Sequence, residues 1–459
     1  MSCGGSGGGT CQSLCRRTKD DELQPPPPSV STKDGRDEPG SKVDQSLCSK
    51  CGEEKPAWNS LCLACFRSSL FGKFKLAVTS NAMISPSDKV LVAFSGGSAS
   101  RVALQFIHEL QCKSLKNWDA SKSQGLPVFA VGVAFVDESA VGLNPSIGMS
   151  NIIEEINSVV SELAPAQKEL HVTSMEGLFC KNFDDGRSCL NELLDSITDA
   201  TGKEDFTQYL RMLSLQKIAL DNNYTKLLLG SCASKMARLI ISATVKGQGF
   251  SLPANLQYVD SRWEVPVVLP LRDCLAQELA MLCHLDGLKT TQLFNGPVGI
   301  NGLVSSFVAR LQEENPSRER TIVRTGEKLK VFSFNKFTQD GYYDFLPSII
   351  RPKFQNVNHE ESKPEFLCPI CGSPLSDSEW KHLKETQGMY QTSIEMFASQ
   401  CCQSCRFQIL PKDTSSLEKF YSLLPLSITN RMKNQGCADQ RWLREQIEEF
   451  LINDEDDSR

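Results

Sequence analysis

Eight of the chain's 19 cysteines fall into four Cys-x-x-Cys pairs, and the pairs come in two sets. Cys48 and Cys51 are followed ten residues later by Cys62 and Cys65; Cys368 and Cys371 are followed thirty residues later by Cys402 and Cys405. A Cys-x-x-Cys knuckle turns two sulfurs to one side, and two knuckles complete a tetrahedral zinc site. Four thiolates leave no open coordination position, so the chemistry expected is a structural cross-link rather than catalysis. Pro369 and Gly372 suit the turn of the second set, where Cys401 competes with Cys402 as ligand and His382 reads as a surface residue. Unrelated buried thiols and redox pairs are the alternatives; a redox pair belongs at the start of a thioredoxin-like helix. Cys3, Cys11 and Cys15 read as incidental, and Cys112, Cys180, Cys189, Cys274 and Cys283 as packing.

The second chemical signal is Ser95-Gly96-Gly97-Ser98-Ala99-Ser100. Glycines admit positive φ and leave no Cβ in the way, so main-chain N–H groups can converge on an anion. A helix starting there adds the positive end of its dipole. Ser95, Ser98 and Ser100 offer hydroxyls, and one of the latter two can cap the helix. An ordinary tight turn with a capping serine would read the same way.

The elements that position this turn are legible on either side of it. Lys89–Phe94 is a short apolar run, and Val102, Ala103, Phe106, Ile107 and Leu110 recur behind it at helical spacing, leaving His108 off the stripe and facing solvent. Val128–Val136, Lys226–Gly230 and Val265–Leu269 read as further buried strands, and Ile152, Ile153, Ile156, Val159, Val160 and Leu163 as a second helix face. Aliphatic strands alternating with amphipathic helices predict an α/β fold, a parallel sheet with helices on both faces. Ligands of such sheets sit at the carboxyl ends of the strands, where the glycine pair lies. The predicted layout is a disordered tail at 1–46, a zinc module at 47–75 and the α/β domain at 76–346. A linker at 347–364, a second zinc module with a helix at 365–452 and an acidic tail at 453–459 complete it. Trp442, Leu443, Ile447, Phe450 and Leu451 make an apolar stripe that docks on its own domain or on a partner.

With 49 Lys and Arg against 55 Asp and Glu, a net charge of −6, a uniformly basic nucleic-acid binder is excluded. RNA contact must use local patches. One is Arg67, Lys73 and Lys75, interleaved with Phe66, Phe71 and Phe74; the other is Arg318 to Lys336, which includes Arg320 and Arg324. Cations pair with phosphates while aromatics stack on bases; an amphipathic helix with a solvated face explains both patches equally. No apolar run of about 18 residues is present to span a bilayer, and the N-terminal residues lack an apolar signal core. A cytoplasmic location is expected, where cysteine pairs are ligands before they are disulfides.

Val92-Ala-Phe-Ser-Gly-Gly-Ser-Ala-Ser100 resembles the PP-loop of the ATP pyrophosphatase superfamily, Ser-Gly-Gly-x-Asp-Ser. The resemblance implies nucleotide binding at Ser95, Gly96, Gly97, Ser98 and Ser100. Ala99 replaces the family's aspartate, and a methyl group cannot help hold a magnesium-bound phosphate; cradling of an ATP phosphate by the backbone survives that loss, while the change counts against efficient ATP cleavage. The order of parts, with Cys62-Leu-Ala-Cys65-Phe66-Arg67 and Leu91-Val-Ala-Phe-Ser-Gly-Gly97, resembles the cytoplasmic tRNA 2-thiolation protein 2 family over residues 46–425. That resemblance implies a heterodimer with a catalytic PP-loop subunit, tRNA as substrate, wobble-uridine 2-thiolation, and a thiocarboxylated ubiquitin-like protein as sulfur source. Where catalytic relatives carry Cys-x-x-Cys this chain reads Thr207-Gln-Tyr-Leu210, and where they carry Gly-His-Asn and two acids it reads Gly230-Ser-Cys-Ala-Ser-Lys235. The expectation is therefore a scaffolding, tRNA-binding subunit with no catalytic residue. The alternatives are a self-sufficient sulfurtransferase using Cys232, and a zinc-ribbon interaction protein whose glycine turn binds nothing.

Overall fold

The computed structural model describes residues 47–120, 128–141, 148–164, 166–179, 183–291, 296, 298–335, 366–386 and 392–432. The tail at 1–46 with its three cysteines, Cys180, Lys336, the linker at 347–364, the Trp442 stripe and the acidic tail lie outside them. The described residues, from 47 onward, belong to one compact unit. None of their helices is long and apolar enough to cross a membrane.

Six strands form the sheet: β1 (Lys89–Ala93), β2 (Ala130–Asp137), β3 (Leu170–Ser174), β4 (Lys226–Leu229), β5 (Val259–Asp260) and β6 (Val267–Val268). Their order is β3-β2-β1-β4-β6-β5, parallel throughout except between β5 and β6. The expected parallel sheet is present, with an antiparallel edge that had no signal in the sequence. β5 is two residues long, too short for a period, and β3 is a half-exposed edge strand with no apolar run.

Around the sheet run α1 (Leu63–Ser80), α2 (Ser98–Ala120), α3 (Met149–Ser161), α4 (Phe183–Asp195), α5 (Ala200–Asp221), α6 (Ala233–Val245), α7 (Leu252–Asn255), α8 (Ala276–Leu285), α9 (Gly299–Glu314) and α10 (Ser317–Gly326). Side chains alternate across the sheet, so Leu91 and Leu227 enter one core and Val90, Val92 and Leu228 the other. The first core takes Leu190, Phe206 and Met236 from α4, α5 and α6; the second takes Phe74, Phe106, Ile156 and Leu279 from α1, α2, α3 and α8.

Three expectations are corrected. The boundary drawn at residue 75 falls inside α1, whose Phe66, Phe71 and Phe74 are buried in the second core. Phe71 meets Phe106 edge-on with centroids 5.3 Å apart, so the first cysteine set is seated on the α/β body rather than hung from it. The second set is likewise continuous with the first core through Cys368, Cys402 and Cys405. His108 is buried rather than solvent-facing, because Lys168 lies over it with its Nζ 2.9 Å from Nδ1. Burial and that ammonium hold the imidazole pKa below its ordinary value.

The chain runs from β1 through α2 to β2 and on to β3, then returns to place β4 on the opposite side of β1. Strand order therefore reverses between β1 and β4, and the carboxyl ends of these two strands flank the crevice where such sheets bind ligands.

Candidate metal centres and anion cleft

The two cysteine sets are built alike. In each, a knuckle closes with an N–H to C=O bond of 2.8 Å, Gly52 to Cys48 and Gly372 to Cys368. Both glycines take left-handed φ, +69° and +66°, which a side chain would strain. In each, the second pair opens a helix. Cys62 is the N-cap of α1, its Sγ accepting from Cys65 N at 3.4 Å, and Cys402 is the N-cap of the helix Gln403–Gln408.

All four sulfurs of each set lie within 4.8 Å of one another. The Cys51–Cys62 and Cys371–Cys402 sulfurs stand 3.8 and 3.7 Å apart. A tetrahedral ion with metal–sulfur bonds of about 2.3 Å needs sulfur edges of about 3.8 Å, whereas a disulfide needs about 2.05 Å. The donor sets therefore fit one thiolate-bound ion each. The ion would be held by Cys48, Cys51, Cys62 and Cys65, and by Cys368, Cys371, Cys402 and Cys405. Cys401 points elsewhere, its Sγ donating to Phe397 O at 3.3 Å.

At the sheet's carboxyl edge, Gly96 takes φ +76° in the turn after β1. Ser100 Oγ donates to Gly97 O at 2.9 Å and accepts from Ser95 N at 3.2 Å, so this hydroxyl braces the turn instead of facing a ligand. Ser95 Oγ is drawn in as well, 3.2 Å from Ser100 Oγ. The N–H groups of Gly96 and Gly97 have no acceptor among the described residues. Gly97 faces open space: a Cβ there would meet only Ser95 Oγ, at 3.8 Å. Of the turn's donors, the amides remain available and the Ser95 and Ser100 hydroxyls do not.

The end of β4 presses against this turn. A Cβ at Gly230 would come within 2.7 Å of Ser100 N and 2.8 Å of Ala99 C. Beyond it Ser231 and Cys232 are buried and α6 begins, with Lys235 in its first turn. Across the edge Glu138, buried at the end of β2, receives Arg211 of α5 with Nη2 at 2.7 Å from Oε2. Arg238 bonds Ser234 O and Ser305 Oγ. Arg211, Glu138 and Arg238 had no signal in the sequence, since partners 73 residues apart leave no spacing to read.

The thiols in this region are not poised to react. Cys232 is 4 % exposed. Burial pushes Cys274 up to about 12 and Cys283 up to about 11. A sulfur acceptor must present a thiolate.

The two basic patches meet. Lys73 of α1 and Arg320 of α10 both reach Glu278 of α8, at 3.0 and 2.9 Å. Arg67 is spent on Glu109 and Asp286, and Arg318 on Glu314. Lys75 and Arg324 are exposed with no ion pair among the described residues. The phenylalanines of the first patch are core and offer no stacking face. This surface adjoins the cleft, since Ser234 Oγ of α6 accepts from Ala276 N of α8 at 3.0 Å and donates to the buried Glu319 of α10 at 2.6 Å.

Fold and site together define an α/β protein with a glycine turn of unengaged amides at a sheet switch point and two four-cysteine sets, each of a geometry that could hold one metal ion. A family model described as Cytoplasmic tRNA 2-thiolation protein 2 matches residues 299–396. Proteins of that name from Oryza sativa subsp. indica and Arabidopsis thaliana are 57 % and 49 % identical, covering 89 % and 100 % of this chain and 90 % and 100 % of their own. The chain belongs to the cytoplasmic tRNA 2-thiolation protein 2 family. The human protein of that name is 25 % identical over 62 % of this chain and 67 % of its own. Among solved structures, the U34-tRNA thiolase NcsA from Methanococcus maripaludis, with its 4Fe-4S cluster, covers 62 % of this chain and 90 % of its own. Its TM-score of 0.47 and 18 % identity are too low to bear on chemistry.

Proposed function

We propose that the chain is the non-catalytic subunit of a cytoplasmic complex that 2-thiolates the wobble uridine of tRNAs. It pairs with a catalytic PP-loop subunit that supplies the sulfur-carrying thiols, and a thiocarboxylated ubiquitin-like protein delivers the sulfur. Zinc fills both four-cysteine sites and holds α1 and the C-terminal module to the α/β body. The observation that carries the reading is the combination of family membership with a cleft that keeps its anion-binding amides while its cysteines are buried. Sulfur transfer needs an accessible thiolate, and often a second thiol to resolve the intermediate. The convergence of Lys73 and Arg320, with Lys75 and Arg324 exposed on the same two helices, supports tRNA contact there.

The test is a thiolation assay on tRNA with ATP and the sulfur carrier. This chain alone should turn over neither ATP nor tRNA, the catalytic partner alone should be impaired, and the two together should thiolate. Thiolation by this chain alone, abolished by Cys232→Ser, would overturn the reading.

A further inference from the structure

Three phenylalanines gather at the surface and serve neither core. Phe332 meets Phe250 edge-on with centroids 5.4 Å apart, and it lies parallel to Phe334, also at 5.4 Å with 6° between the rings. None of the three is among the residues that fill or border the two cores. Phe250 is 48 % exposed, and Phe332 and Phe334 are half-buried. The segment carrying the last two is tied down by other means: Asn335 accepts from Ser261 N at 2.9 Å and donates to Ala254 O at 3.3 Å. Rings left open to water carry a hydrophobic cost that an occupant removes.

The chain leading to these rings is basic. Residues 324–335 hold Arg324, Lys328 and Lys330 against one acid, Glu327, which is drawn to the buried Arg272 at 2.9 Å. The three cations are exposed and have no ion pair among the described residues. α10 fixes where this run lies. Near its start Glu319 accepts from Ser234 in the first turn of α6, and at its end Gly326 abuts Ile240, further along α6. α10 therefore runs beside α6 away from the cleft, and Phe250 follows shortly after α6 ends at Val245. The 13 residues of α6 span about 20 Å, so the rings lie roughly that far from the cleft.

Aromatic faces set beside free cations hold unpaired nucleotides: bases stack on the rings while phosphates pair with the charges. A neutral apolar protein face would cover the rings and leave the three cations uncompensated. We propose that Phe250, Phe332 and Phe334 form a stacking surface for unpaired nucleotides of the tRNA, reached along the line of Arg324, Lys328 and Lys330. Their distance from the cleft makes these nucleotides other than the one that is modified. The proposal rests on reading this chain as a tRNA-binding subunit; it adds a second point of contact, made through base faces instead of phosphates.

The full-length chain is titrated with a tRNA transcript and, separately, with a fully paired RNA duplex, each over a range of salt concentrations. Phe250→Leu keeps apolar bulk but loses the ring, and should weaken tRNA binding about tenfold, within the usual worth of one stacked base. Phe250→Tyr should retain it. Stacking is uncharged, so Phe250→Leu should leave the salt slope unaltered, whereas Lys328→Gln with Lys330→Gln should flatten it. The duplex, whose base faces are already covered, should bind the parent and Phe250→Leu alike. Unchanged tRNA affinity in Phe250→Leu overturns the proposal. So does an equal loss in Phe250→Tyr or for the duplex, a loss that tracks a lowered unfolding midpoint, or release of the catalytic partner in place of tRNA. In each of these cases binding by the parent leaves the tRNA-binding reading in place. A parent that binds no tRNA, alone or with its partner, overturns both.

Discussion

Two glycines at the same cleft should respond oppositely to the same added methyl group. At Gly230 a Cβ would stand 2.7, 2.8 and 2.9 Å from Ser100 N, Ala99 C and Ala99 O. All three are main-chain atoms at the start of α2, which cannot rotate aside as a side chain does. Overpacking of this kind costs about 1–3 kcal/mol, and contact with three backbone atoms places it toward the upper end. The methyl also restricts the unfolded chain, which returns about 0.4–1 kcal/mol, so Gly230→Ala should lose roughly 1–2 kcal/mol net. At Gly97 the nearest atom is Ser95 Oγ at 3.8 Å, an ordinary contact. Gly97→Ala should therefore leave stability unchanged or raise it by about 0.4–1 kcal/mol. Urea or thermal unfolding of the three proteins, with zinc content held equal, reads the difference directly. An unaltered Gly230→Ala midpoint would refute the claim that β4 abuts the turn. A large loss at Gly97→Ala would refute the claim that this residue faces open space.

Further expectations concern thiols, protons, charge and metal. In the folded protein at about pH 8, Cys232, Cys274 and Cys283 should resist a thiol reagent and react only on unfolding, because burial keeps the latter two protonated; rapid labelling of Cys232, mapped by mass spectrometry, would reopen a catalytic role. Burial raises the Glu319 pKa above that of an unfolded glutamate, so the native state binds more protons in the window between the two values. The parent should therefore lose stability relative to Glu319→Gln as pH rises through that window, and parallel stability curves would contradict this. Lys75→Glu with Arg324→Glu should weaken tRNA binding and flatten its salt dependence without shifting the unfolding midpoint, both residues being exposed and free of ion pairs among the described residues. Cys48→Ser should lower the zinc content by about one ion per chain and loosen α1, seen as faster amide exchange around Phe66 to Phe74; full zinc in that variant would discount the first site.

Signals that depend on neighbours in sequence were legible from the letters alone. A knuckle needs its two cysteines three apart, a buried parallel strand needs a run of aliphatics, and an anion-binding turn needs glycine between strand and helix. The four pairs, the four principal strands and the Ser95–Ser100 turn were accordingly found where the spacing put them. Signals that depend on how the chain bends, or on residues far apart, were decided only by folding. Whether Ser100 faces a ligand or braces its own turn depends on a carbonyl three residues back and on the chain bending there. Whether Cys401 or Cys402 joins the second site depends on which sulfur the helix start turns inward. His108 looked exposed because helical spacing describes one face, while Lys168, 60 residues on, covers another. The two basic patches meet only because Lys73 of α1 and Arg320 of α10 both reach Glu278 of α8, 205 residues from one and 42 from the other. Periodicity and spacing fix what a segment can do; long-range packing fixes what it faces, and the candidate cleft is made of the latter.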